Sequence, residues 1–138
     1  MSRQRTLRLA GFALGVALIA VSWNARGQQP APPAMKGVTI APLAAVDLGP
    51  EIDGMAGRQL RMRKITIEPG GFFALHSHKD RPGTVYILEG KITETRNGVV
   101  KEYGPGETWF ENKETNHQVE NKGTAPATFV AVDVFKTQ

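Results

Sequence analysis

The sequence predicts an all-β, antiparallel domain, and three observations lead to that fold class. From Met35 onward, short runs rich in β-branched and aromatic residues are divided by Gly and Pro clusters at Pro69-Gly70-Gly71, Pro82-Gly83, Asn97-Gly98, Gly104-Pro105-Gly106 and Lys122-Gly123, the punctuation expected of many short strands. Asn97-Gly98 lies between Ile92–Thr95 and Val99–Tyr103, and Asn-Gly supplies the positive φ angles of a tight hairpin turn. In the last segment Thr128, Val130, Val132 and Val134 alternate with Ala127, Phe129, Ala131, Asp133 and Phe135. Both faces are largely apolar, which predicts a strand deep in a closed or two-layer β structure. No stretch after residue 27 shows helical periodicity, and there is no internal repeat.

The first 27 residues read as a secretory signal peptide. Arg3, Arg5 and Arg8 form a basic start, Leu9–Val21 is an apolar run, and Ala25 and Gly27 are the small residues that precede a cleavage site. The apolar run is shorter than the roughly 20 residues that cross a bilayer core, so an uncleaved anchor is the weaker reading. Residues 28–35 begin QQPAPPA, a Pro-rich spacer, and residues 36–138 form the predicted barrel domain. With 138 residues, one compact domain with a short appendage fits better than two. The expected location is periplasmic or secreted.

Charge argues in the same direction. The net charge is +4, from 17 basic and 13 acidic residues. Arg3, Arg5, Arg8 and Arg26 lie in the leader, and removing those four leaves thirteen basic residues against thirteen acidic ones. A nucleic-acid partner needs basic clusters on the mature surface, and none is expected. The chain has no cysteine, which excludes a disulfide framework, thiol chemistry and a lipid-modified Cys anchor.

The three histidines carry the chemistry. His76 and His78 are two apart, so on a strand both leave the same face. His117 follows forty-one positions after His76, far enough for a return strand to bring it alongside. Neutral imidazoles suit Zn, Fe, Ni, Mn or Cu, and three of them leave coordination positions open.

Two sequence patterns around these histidines resemble the paired motifs of the cupin superfamily. The first, G-x5-H-x-H-x(3,4)-E-x6-G, is met by Gly70, His76, His78 and Gly90, with Gly83 in the slot of the motif's Glu. The second, G-x5-P-x-G-x2-H-x3-N, is met by Gly106, His117 and Asn121, with Asn112 and Glu114 in the slots of its Pro and inner Gly. The resemblance implies an antiparallel jelly-roll-like barrel of short strands, with one divalent metal ion held inside by His76, His78 and His117. Asn121 is then expected to back His117, and Tyr86, Trp109 and Phe110 are candidates to wall a pocket. Asp80, Glu89, Glu107 and Glu111 lie near the motifs as possible stand-ins for the absent carboxylate. Glu89 shares strand parity with Gly83, but it lies about 20 Å further along an extended strand.

Neutral ligands leave the ion its full charge, so the expected substrate is small, anionic and chelating. The first functional reading is a three-histidine metal enzyme, oxygenase-like or a related lyase or isomerase. The alternative is a non-catalytic cupin that binds or senses a small molecule or metal. A metal-free isomerase or epimerase with a His base is a weaker third. The resemblance also makes a homodimer a possible partner state, since dimers are common among the resembling proteins and an uncovered sheet edge is a reason to pair.

Overall fold

A computed structural model describes residues 34–137, and the predicted leader and most of the spacer lie outside them. Eight strands follow in order: β1 (Met35–Asp47), β2 (Arg58–Ser77), β3 (Gly83–Glu89), β4 (Ile92–Arg96), β5 (Val99–Tyr103), β6 (Thr108–Glu111), β7 (Asn116–Glu120) and β8 (Ala127–Lys136). All pairings are antiparallel, in the order β5-β4-β7-β2-β8-β3-β6, with β1 added on β2. No helix among the described residues is long and apolar enough to cross a membrane.

The expectation of uniformly short strands fails at β1 and β2, which run to 13 and 20 residues. Pro69-Gly70-Gly71 was expected to end a strand; instead β2 passes through it. Residues 58–67 pair with β8, whereas Phe72–Ser77 pair with β7. The partner β1 skips directly from Ile67 opposite Val38 to Phe72 opposite Lys36. The Pro-Gly-Gly segment is thus a corner that hands β2 from one half of the barrel to the other, a use of irregularity common where sheets curl.

Asn97-Gly98 behaves as predicted. Arg96 pairs with Val99, leaving a two-residue loop with φ of 51° at Asn97 and 79° at Gly98, the conformation that favours this dipeptide.

Interior residues follow the alternation of the strands. On β8, Ala127, Phe129, Ala131 and Asp133 are buried, while Thr128, Val130, Val132 and Val134 are only half-buried. β8 is central in the sheet, but its second apolar face is not a core face. Ile67, Ile87 and Ile92 are fully buried, each contributing about 1.5–3 kcal/mol by leaving water. The outermost strands of the order, β5 and β6, meet through side chains: the Tyr103 and Trp109 rings lie 4.9 Å apart and Trp109 continues to Phe129 at 5.8 Å. Arg96 of β4 also donates to the Phe110 carbonyl of β6 at 2.9 Å. These contacts bring the barrel near closure and leave a cavity at one end.

Candidate metal centre

The β2–β7 register sets His76 directly opposite His117. His78 lies just past the end of β2, where its backbone N–H donates to the Thr115 carbonyl at 2.9 Å and keeps the chain on course. Alternation sends Leu75 and Ser77 outward, both exposed, and the two histidines inward. The result is a cluster in which His78 Nε2 lies 3.1 Å from His76 Nε2 and 3.0 Å from His117 Nε2. His117 and His78 are buried and His76 is half-buried.

The opposite ring nitrogens explain why the Nε2 atoms can serve as ligands. His76 Nδ1–H donates to the Ala74 carbonyl at 2.8 Å. His117 Nδ1–H donates to Glu94 Oε1 at 2.5 Å. His78 Nδ1 faces Glu111 Oε2 at 3.0 Å and the Arg81 carbonyl at 3.2 Å. Every one of these partners is an acceptor, so each fixes the proton on Nδ1 and leaves a lone pair on Nε2. Three lone pairs then converge, an arrangement that neutral imidazoles cannot satisfy among themselves and that a divalent cation does. The donor set therefore fits a metal ion, with carboxylates behind two of the ligands in the manner that orients metal-bound histidines.

The protonation tendencies agree with that assignment. Burial pushes His76 below its ordinary value, against the Ala74 carbonyl, with His117, His78 and Arg81 adding to the depression. Burial would raise the Glu94 carboxyl, but hydrogen bonds from His117 and Arg96 outweigh it and hold it below the usual range. Glu111 is likewise held low, burial being overcome by His78, Trp109 and His117.

The histidines open onto a cavity of about 470 Å³, a size suited to a small molecule. Ile65, Phe73, Val85 and Phe129 form apolar walls, and Arg63, Arg81 and Glu111 share the polar end with the imidazoles.

Of the other expected residues, Trp109 lines this cavity and donates from Nε1 to Glu111 Oε1 at 3.1 Å. Tyr86 does not wall it: lying between inward-facing Val85 and Ile87, it points outward and is 48% exposed. Phe110 is also outside, 64% exposed. Asn121 does not back His117 either. It follows the end of β7, and its amide donates to the Ile67 and Ala125 carbonyls at 2.8 Å each while its oxygen accepts from Gly123 N at 2.9 Å. It is buried because it clamps the β7–β8 turn.

The residues missed by sequence reasoning are Glu94, Arg63 and Arg81; of the four acids offered as stand-ins for the absent carboxylate, Glu111 reaches the histidines, but its closest approach is to His78 Nδ1 and not to the converging Nε2 atoms. Glu94 shared strand parity with Ile92, a charge on an apolar face, and that was the available signal. Glu111 stands directly opposite Gly83 in the β3–β6 register. A Cβ at Gly83 would come within 2.8 Å of the Val132 carbonyl oxygen, 3.0 Å of Asp133 Cβ and 3.2 Å of Glu111 Oε2. The backbone oxygen cannot step aside, so Gly83→Ala is expected to cost about 1–3 kcal/mol through overpacking. Urea denaturation of the two proteins measures it. A change below experimental error would show that β3 can move away from β8. The same crowding means that Gly83→Glu would disrupt the barrel before it added a ligand.

No match was found among curated proteins. Among solved structures, the polyketide cyclase RemF from Streptomyces resistomycificus is similar at 25% identity, over 74% of this chain and 68% of that one, with a TM-score of 0.59. The cupin domain of an XRE-family transcriptional regulator from Enterobacter cloacae aligns over 71% of this chain and 96% of its own, at 14% identity and a TM-score of 0.54. A cupin-2 domain protein from Rhodospirillum rubrum aligns over 77% and 65%, at 18% identity and 0.60. The cupin domain family model matches residues 63–134, more than half the chain, a segment that holds all three histidines and most of the residues lining their cavity. By that match and by its barrel, this chain belongs to the cupin domain family.

Proposed function

We propose that this protein is an exported, metal-dependent cupin enzyme that acts on a small anionic, chelating substrate. The observation that carries the proposal is the convergence of the His76, His78 and His117 Nε2 atoms, each freed for coordination by an acceptor on Nδ1. A divalent ion held there would act as a Lewis acid on bound substrate. The remaining parts of the site belong to the chain: Glu94 and Glu111 orient two imidazoles, the apolar walls exclude water, and the cavity presents its guanidinium groups beside the ligands. The similarity to a polyketide cyclase supports an enzyme over a passive carrier. The leader with its basic start, apolar run and small residues supports export.

Elemental analysis of untagged protein, purified without added metal, tests the reading. About one equivalent of a divalent transition metal per chain is expected, removable by chelator and restored on addition. Protein that neither contains nor takes up metal would overturn the proposal. A redox metal directs the search to oxygenase chemistry, and zinc to lyase or isomerase chemistry.

A further inference from the structure

Three arginines gather around one buried carboxylate beside the histidine cluster. Arg61 takes Asp133 from both sides of its fork, Nε to Oδ1 at 2.7 Å and Nη2 to Oδ2 at 3.1 Å, and stacks on Phe135 with 3.7 Å between the guanidinium carbon and the ring centroid. Arg63 reaches the same carboxylate only through Nη2, at 2.8 Å. Its Nε is buried and has no hydrogen-bond partner among the described residues. Arg81 lies 3.9 Å from Asp133 Oδ2, and its Nη2 is 3.5 Å from His78 Nε2.

The acceptors here are already committed. Asp133 serves Arg61 and Arg63, while Glu111 serves His78 and Trp109. Three guanidinium groups against two carboxylates leave one positive charge uncompensated, apart from any ion on the imidazoles. Both Arg63 and Arg81 line the cavity. A buried guanidinium N–H without an acceptor is costly, because it has left water and gained nothing in return. A planar carboxylate, which accepts at both oxygens, is the complement that suits such a donor best.

We propose that Arg63, assisted by Arg81, binds the carboxylate of a small monoanionic acid whose apolar body lies against Ile65, Phe73, Val85 and Phe129. This deepens the function proposed above by naming the recognised group, and it rests on that reading only for what the histidines do with the other end of the molecule. The carboxylate site itself is made by the arginines and stands in metal-free protein. The single free charge favours a monoanion over a phosphate ester.

The test is isothermal titration of the full chain, chelator-treated and zinc-loaded, with benzoate and with its neutral isostere benzamide. Benzoate is expected to bind at least roughly tenfold more tightly than benzamide in both preparations, the usual scale of a charge-assisted hydrogen bond in a cavity. Arg63→Met should remove that preference and leave zinc content unchanged. Because Arg63 also holds Asp133, Arg81→Met provides a variant less tied to the fold and should weaken the preference in part, with circular dichroism confirming a folded barrel. Equal binding of benzoate and benzamide to the parent, or an unchanged preference in folded Arg63→Met, would overturn the proposal. If the preference persists in protein that takes up no zinc, the metal reading fails and the carboxylate site stands. An adventitious association would appear as binding that neither variant alters, and that too counts against the site.

Discussion

Replacing His76 by alanine is expected to abolish stoichiometric metal binding and leave the barrel folded. His76 is half-buried, and its Nδ1 is held only by the Ala74 carbonyl, so its loss strands no buried charge. The loss does remove one of three strong donors, and the affinity change should exceed the roughly 10–100-fold typical of losing a supporting residue. His117→Ala should lower metal binding equally and stability more, because fully buried His117 also donates to Glu94. Metal content by elemental analysis, with circular dichroism to confirm folding, reads both effects. If His117→Ala retained full metal while His76→Ala lost it, the histidines would not form one site.

Acid should act on the same centre with a definite sign. Burial depresses His76, so the folded protein takes up that proton at a lower pH than the unfolded chain does. Between the two values the unfolded chain binds more protons, and this contribution to stability is full above the unfolded value of about 6.5 and declines as pH falls below it. Protonation also competes with metal for the nitrogen lone pairs, so occupancy should fall over the same acidic range.

Much of the fold was legible because turns and alternation are local properties. Asn97-Gly98 gave its hairpin from two residues, and the parity of His76 and His78 followed from strand geometry once β2 was placed. What escaped was set by register between strands. Glu111 meets His78 only because β6 pairs with β3 so as to place it opposite Gly83, and nothing within β6 alone announces that pairing. Arg63 is far from the histidines in sequence and joins them because β2 is long and bends. Asn121 was misplaced for the complementary reason: four residues after His117 it shares a face only if the strand continues, and β7 ends at Glu120. Tyr86 is flanked by apolar residues on both sides, a pattern that does not reveal which set faces inward.

Glu94 combines structural and functional roles, and its variants should separate them. The carboxylate is 3% exposed and accepts from His117 Nδ1, from Arg96 Nε at 2.8 Å and Nη2 at 2.6 Å, and from Tyr103 OH at 3.1 Å. Glu94→Ala leaves the Arg96 guanidinium, the Tyr103 hydroxyl and an imidazole N–H without their acceptor. Breaking a buried pair in this way costs about 3–5 kcal/mol, and the partial exposure of Arg96 favours the lower end. Glu94→Gln keeps the shape and one acceptor, so it should cost less stability while weakening metal binding by about 10–100-fold, since a neutral amide supports the imidazole less well than a carboxylate. The acid limb also distinguishes the two forms. Hydrogen bonds from His117 and Arg96, overcoming burial, hold the Glu94 carboxyl below its ordinary value, so its contribution is full above the unfolded value of about 4.3 and is lost as pH falls through the folded one. Urea denaturation across that range should show a flatter acid dependence for Glu94→Gln than for the parent, alongside a weaker zinc affinity in competition with a chelator. A Glu94→Gln protein matching the parent in both would mean that the carboxylate charge supports neither the barrel nor the ligand.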